Sequence, residues 1–493
     1  MQTGLHGRIF LYTYRQTYLR ERSILPIYKA IAFANSQNNC TFVAPKHTAL
    51  TFRDYLPYYR RNLRLAFPVM LTQLGGALVG LIDSVMVGHY STTDLAAVSF
   101  ANGVFFTFMV FAMGAMMGIT PLVGESYVQG DHHRVSRLLL NGLVFCLLLT
   151  VLTCGVLFAL VPFLGQMGQE EAVAQTARPY LLTRIIGLVP FMLFCLCKQF
   201  LEGIGNTTVA MVITIVLNLL NVALNYILIF GHLGAPALGS FGAGLASMIV
   251  SMLMPVGFII AILRNREWRR YLKFFSWDNI SRSILAELRR VGFPIGLQTT
   301  METILFTLSF IMVGWISKEA LAAHQIANQI ADLTFMVAIG IGAATTIRVS
   351  HQRGLADYHA MRMAAHASIH LVLLMNTIGA SLMILFRNYI PYLFTDDEKV
   401  IEIASELLVF AALFQYSDGL QCVGAAMLRG IKDVRRPMVY ATISYLIIAL
   451  PLGYLLMFSA GLGVKGMWLS FIVALSLAAI SFHTRFYRLT RRL

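Results

Sequence analysis

RNLRLAFP at residues 61–68 and ELRRVGFP at residues 287–294 decide how this 493-residue chain is organised, because their Phe-Pro pairs stand 226 positions apart. At the same offset Val87-Gly88 meets Val313-Gly314, Leu95-Ala96-Ala97 meets Leu321-Ala322-Ala323, and Asn102 meets Asn328. Further on, Leu201-Glu202-Gly203-Ile204 meets Leu428-Arg429-Gly430-Ile431 at an offset of 227. One such match is chance; an ordered series is an internal duplication.

The duplicated unit is a membrane unit. Hydrophobic residues make up 57% of the chain and charged residues 12%, against about 45–50% and about 25% in soluble domains. That balance excludes a soluble enzyme, a disordered chain and a fibrous protein. A helix needs about 20 mostly apolar residues to cross the hydrocarbon core. Twelve windows qualify: 67–87, 98–120, 138–161, 178–200, 209–231, 240–263, 293–316, 327–349, 367–386, 405–428, 438–459 and 463–484. None alternates as a strand does, so an all-α membrane protein is predicted, with twelve transmembrane helices in two pseudo-symmetric six-helix bundles.

The 38 Lys and Arg exceed the 23 Asp and Glu, for a net charge of +15. The placement of these charges gives the orientation. Arg264, Arg266, Arg269, Arg270, Lys273, Arg282, Arg289 and Arg290 crowd between the sixth and seventh windows. Arg429, Lys432, Arg435 and Arg436 follow the tenth, and Arg485, Arg488, Arg491 and Arg492 end the chain. The alternate loops are acidic, with Asp94, Glu170, Glu171, Asp396, Asp397 and Glu398. Positive loops stay inside. Both termini are therefore expected in the cytoplasm, and the basic excess reports topology, with no nucleic-acid partner implied.

Four segments follow. Residues 1–55 read as a basic, mobile N-terminal tail, 56–263 as the N-terminal lobe, 264–290 as a cytoplasmic linker and 291–493 as the C-terminal lobe with a basic tail. Six spans per half make the repeat parallel, about an axis along the membrane normal. Such a pair suits alternating access, two bundles rocking about a cavity between them. A monomeric transporter is expected, not a channel of several subunits.

Four acids interrupt the spans: Asp83, Glu302, Asp332 and Asp418. Each costs about 2.5–3.5 kcal/mol at a helix centre on insertion scales, so each is read as functional. A buried carboxylate either holds a cation or takes up a proton. The repeat does not duplicate them: Asp83 maps to Ser309, and Glu302 maps back to Gly76. Asn218, Asn221 and Asn225 form one stripe on the fifth helix, whose amide oxygens suit Na⁺ beside a carboxylate or serve as glue between helices. Asp332 is placed near the outer end of its span, where a rim carboxylate is equally expected. The six cysteines lie mostly in spans and read as buried thiols. Pro190, Pro255 and Pro451 fall inside spans and are expected to bend them.

Asp83-Ser84-Val85-Met86-Val87-Gly88-His89-Tyr90, the run Ala322-Ala323-His324-Gln325-Ile326-Ala327, and Gln415-Tyr416-Ser417-Asp418 with Leu428-Arg429-Gly430 resemble the multidrug and toxic compound extrusion (MATE) transporters, NorM-like bacterial branch. The resemblance covers about residues 60 to 485. It implies a non-enzymatic antiporter of the bacterial inner membrane that exports amphipathic organic cations in exchange for Na⁺ or H⁺, with no cofactor. It assigns Asp83, Asn221, Asn225 and Ser247 to a coupling site in the first lobe, and Glu302 and Asp418 to one in the second. Na⁺ would sit at Asp83 or at Glu302 and Asp418. Phe414, where some relatives carry Tyr, and Asp332 are further candidates for substrate or cation contact. Two rivals remain. A lipid-linked oligosaccharide flippase should carry Arg or Lys inside several spans, whereas Arg178, Arg184 and Arg387 are expected near span ends. A membrane-embedded transferase should carry a His/Asp or metal constellation at one face, and His132-His133 lies in a polar loop.

Overall fold

The computed structural model describes residues 52–168, 170–234, 236–272 and 276–491. The expected N-terminal tail lies outside the described residues up to position 51, and Phe52 already opens the first helix. Among the described residues, twelve helices are long and apolar enough to cross a membrane. They are α1 Phe52–Tyr90, α2 Thr92–Val128, α3 His132–Gln166, α4 Glu171–Gly203, α5 Thr208–Phe230, α6 Gly239–Arg264, α7 Arg282–Gly314, α8 Lys318–Gly354, α9 Tyr358–Phe386, α10 Glu398–Gly430, α11 Arg435–Ser459 and α12 Val464–Thr490. No strand occurs among the described residues. Most helices outrun their hydrophobic windows, because a helix continues past the hydrocarbon edge until a cap stops it. The expected linker is correspondingly shorter: α6 ends at Arg264, and Arg282–Arg290 already belong to α7.

The caps repeat with the sequence. Ser91 caps α2 through the Asp94 N–H, and Ser317, 226 positions on, caps α8 through the Ala320 N–H. Asp131 caps α3 and Asp357 caps α9 in the same way. Just before them Gly130 and Ala356 both turn through positive φ, 75° and 56°. Near the ends of α4 and α10, a Cβ on Gly203 would meet Val123 at 2.8 Å, and one on Gly430 would meet Val349 at 2.7 Å. The duplication therefore extends to side-chain packing.

Two apolar cores result. One gathers residues of α2 to α6, including Phe105, Leu138, Phe200 and Phe258. The other gathers residues of α8 to α12, including Ile341, Leu407, Trp468 and Phe482. The first helix of each half begins on the opposite core. Ala66 and Met70 of α1 belong to the second core, and Ile284, Leu288, Val291 and Ile295 of α7 to the first. Glycine makes the crossing close: a Cβ on Gly292 would lie 2.5 Å from the Ala115 carbonyl oxygen, and one on Gly296 would lie 2.6 Å from that of Phe111. At the equivalent crossing a Cβ on Gly340 would meet Met70 at 2.4 Å.

These crossings all lie at the end of the bundle that carries the basic loops. There the lobes form a seam. Lys432 pairs with Glu125 at 2.6 Å, His351 Nε2 donates to the Gly203 carbonyl at 2.7 Å, and Arg134 pairs with Glu287 at 3.0 Å. Asn62 of α1 donates to Ser368 Oγ of α9 at 2.9 Å. Toward the other end α1 is loosely packed: a Cβ on Gly76 or Gly80 would meet nothing within 4 Å, and Leu78, Leu81 and Ile82 are exposed.

One substitution type should therefore give opposite results at the two ends. Gly292→Ala should lower the thermal unfolding temperature of the purified protein, with overpacking costing roughly 1–3 kcal/mol. Gly76→Ala should leave it unchanged or raise it, since Ala in a helix interior is favoured by roughly 0.5–1 kcal/mol over Gly. Equal effects would contradict the seam.

Candidate functional site

Two polar clusters interrupt the apolar packing, one per lobe. In the first lobe α1 supplies Asp83, whose Oδ1 accepts a 2.5 Å hydrogen bond from Asn225 Nδ2 on α5. The same amide lies 3.2 Å from Asn221 Oδ1, one turn earlier. Asn221 and Asn225 are buried, and Asp83 is partly exposed. Asn225 Oδ1 and Asn218 Nδ2 are buried without hydrogen-bond partners, and Asn218 faces Gly75 of α1. The three asparagines thus lie along the face of α5 that addresses α1, as their spacing predicts. Ser247 sits on α6, where its carbonyl accepts from Ser251 Oγ. The hydrogen bonds that join Asp83, Asn225 and Asn221 do not include it.

Arg184 is the resident cation of this cluster. Expected near a span end, it stands about four turns inside α4, because α4 begins at Glu171 and not at the edge of the hydrophobic window. Its guanidinium carbon lies 4.7 Å from the centre of the Phe105 ring, a cation–π arrangement, and its charge acts on Asp83. Tyr180, one turn earlier, donates to Asn102 Oδ1 at 3.0 Å. Lower on α4, Lys198 Nζ lies 3.5 Å from Gln73 Oε1 of α1 and 3.9 Å from Glu202 Oε1. Glu202 is 4% exposed. It fell just outside the fourth apolar window and is a buried acid that hydrophobicity alone passed over.

In the second lobe Gln421 of α10 holds the cluster together. Its amide nitrogen donates to Glu302 Oε1 of α7 at 3.4 Å and to the Tyr445 hydroxyl of α11. Asp418, one turn before Gln421, is 6% exposed. Asp418 Oδ1 and Gln421 Oε1 are buried acceptors without donors. Glu302 and Asp332 both act electrostatically on Asp418. Asp332 is exposed and lies about four turns inside α8, which begins at Lys318. The expected position near an outer end is corrected for the same reason as that of Arg184. Phe414 is 3% exposed; its ring packs edge-on against Trp468 at 5.5 Å and Phe306 at 6.3 Å. Ser309, the counterpart of Asp83, lies 3.3 Å from His324 Nε2 instead of a carboxylate partner.

Unpartnered oxygens in dry surroundings are costly unless a cation or proton joins them. Asp83 with Asn225 Oδ1, and Glu302 with Asp418 Oδ1 and Gln421 Oε1, offer the hard oxygen donors that Na⁺ takes. Gln421 and Tyr445 were not legible in advance. A buried Gln or Tyr in an apolar helix carries no signal until a neighbouring carboxylate is known.

The family model described as MatE matches residues 68–227 and 294–455, two segments that begin 226 positions apart. The multidrug resistance protein NorM of Vibrio cholerae serotype O1 is 34% identical over 435 residues, covering 87% of this chain and 95% of the relative. The multidrug resistance protein PmpM of Pseudomonas aeruginosa is 34% identical over 435 residues, covering 87% and 91%. Among solved structures, the outward-facing conformation of a multidrug resistance MATE family transporter superposes with a TM-score of 0.80 at 21% identity, covering 88% of this chain and 97% of that one. The eukaryotic MATE transporter AtDTX14 gives 0.79 at 17% identity, covering 89% and 98%.

The Asp83–Asn225 contact should appear as a coupling energy. In a double-mutant cycle read by thermal unfolding, Asp83→Asn and Asn225→Ala should be non-additive by roughly 1–2 kcal/mol, as for a hydrogen bond to a charged group. Asn225→Ala with Glu302→Gln, in separate clusters, should be additive.

Proposed function

Because the chain belongs to the MatE family, whose relatives here are named as multidrug resistance transporters, we propose that it is a secondary multidrug efflux antiporter. It exports amphipathic organic cations in exchange for Na⁺ or H⁺ and performs no covalent chemistry. The observation that carries the reading is the pair of carboxylate clusters, one per lobe, each with buried oxygens that lack donors. In the neutral or cation-loaded state these groups are compatible with dry packing; ionised and empty, they are not. Loading therefore favours one packing of the lobes and release favours another.

With positive loops inside, the protein sits in the bacterial inner membrane with both termini in the cytoplasm, and the seam closes its cytoplasmic end. The cleft is then open outward. The drug leaves in this state, and the coupling cation enters from outside to Asp83, with Asn221 and Asn225, or to Glu302 and Asp418. Asp332, which is exposed, lies on the route of an amphipathic cation, whereas Phe414 is buried in its aromatic cluster and supports that route from behind. Exchange needs cation and drug to oppose each other in binding, a negative coupling between sites. The protein works as a monomer in this scheme.

A second reading has one observation in its favour. Arg184 lies about four turns inside α4 and not at its end, one of the several basic residues inside spans that a flippase of lipid-linked oligosaccharides with anionic head groups should carry.

Both readings are tested in vesicles of purified protein. Under an imposed Na⁺ gradient and then a pH gradient, ethidium should be expelled by one or both. Asp83→Asn, Glu302→Gln and Asp418→Asn should each slow expulsion by roughly tenfold or more, the effect of about 1.4 kcal/mol of lost coupling. Wild-type rates in all three variants would sink the assignment. Movement of lipid-linked oligosaccharide without ethidium would establish the flippase instead.

A further inference from the structure

α11 departs from α-helical geometry at Ile443–Ala449 and again at Leu455–Ser459, where its turns widen to π-helical. Such turns are rare and recur at functional sites. Here they have a local cause. Pro451 stands between them in Leu450–Tyr454; it has no N–H, and its ring crowds the carbonyl one turn earlier. A wide turn absorbs the misfit by adding a residue to the ring of hydrogen bonds. The added residue keeps Ala449 and Gly453, beyond the first wide turn, on the buried face that Pro437, Ala441 and Tyr445 already share. Ser444 and Tyr445 are buried at 4% and 0% exposure, while Ile447 is 64% exposed.

Tyr445 stands at the second-lobe cluster. Its hydroxyl oxygen accepts from Gln421 Nε2, and the same nitrogen donates to Glu302 Oε1. The two N–H groups of the Gln421 amide are thus divided between a phenol and a carboxylate. With one N–H held by Tyr445, the amide plane is fixed, and the other N–H is aimed at Glu302. Fixing the plane also fixes Gln421 Oε1, which is buried without a donor. Both Glu302 and Asp418 lie near enough to act electrostatically on Tyr445.

We infer that Tyr445 is a positioning residue of the coupling site. Its hydroxyl, on the inward face of α11 at the first π turn, orients Gln421 so that the amide holds Glu302 and offers Gln421 Oε1 to the coupling cation. The inference rests on the antiporter reading above and deepens it: α11 becomes part of the cation site through one hydroxyl, without contributing a charge.

The test is Tyr445→Phe, which keeps the buried ring and removes only the hydroxyl. Ethidium efflux from vesicles is measured against external Na⁺ at fixed pH and against external pH at fixed Na⁺, and the cation that drives the wild type is the one read. Its half-saturating concentration should rise roughly three- to tenfold, the range of one lost hydrogen bond, with the maximal rate changing by less. Gln421→Leu should move the half-saturation in the same direction, and adding Tyr445→Phe to it should cause no further rise. A merely structural role would lower the unfolding temperature and the maximal rate and leave half-saturation in place. If Tyr445→Phe proves too unstable to purify, Gln421→Leu carries the same comparison. Wild-type half-saturation in the variant measured, while Glu302→Gln is inactive, overturns the role of Tyr445 and leaves the antiporter reading standing. Wild-type coupled efflux from Glu302→Gln overturns both.

Discussion

Backbone lies on backbone where α2 crosses α7. No side chain separates Gly292 from the Ala115 carbonyl, or Gly296 from that of Phe111. Lipid tails are as apolar as leucine, so helices in a membrane gain little by hiding greasy surface from each other and must gain by fitting closely. Small residues permit that fit, and the duplication supplies it twice, with Gly340 of α8 against Met70 of α1 as the second instance. Each lobe's first helix is thereby anchored at its basic end in the other lobe. Any rocking of the lobes has to pivot on these two crossings or break them.

The polar clusters belong to the free parts of the same helices. α1 carries Asp83 and α7 carries Glu302 beyond their crossings, each in contact with a helix of its own lobe. The helices that join the lobes are thus also those that present the carboxylates. A change of charge at either acid acts on a helix whose other end is held across the seam. In the antiporter proposed above, that arrangement would give ion loading a mechanical path to the interface, with no long chain of intermediates.

Much of this was readable from the chain. Helix number, the duplication and the two principal acid positions followed from apolar length, from the offset of 226 and from the rarity of charge in spans. The facing of Asn221 and Asn225 followed from their spacing. What failed had one physical root: hydropathy marks where a helix is greasy, not where it ends. Arg184 and Asp332 therefore looked peripheral while standing about four turns inside their helices, and Glu202 escaped notice. Tyr445 failed differently. Its inward facing follows the ordinary count of four from buried Ala441, yet a tyrosine in an apolar helix gives no signal until its amide partner is known.

The seam is duplicated in position but not in chemistry. The offset of 226 takes Glu125 to His351, and the offset of 227 takes Gly205 to Lys432. One edge is consequently fastened by the Glu125–Lys432 ion pair and the other by an imidazole on the Gly203 carbonyl. Dissolved salt weakens even a partly buried ion pair, though less than an exposed one, and it leaves a hydrogen bond to a buried carbonyl largely untouched. Two otherwise matching edges therefore answer differently to ionic strength. The lobes should part asymmetrically, peeling from the ionic edge first, so that a pseudo-two-fold molecule opens along a one-sided path.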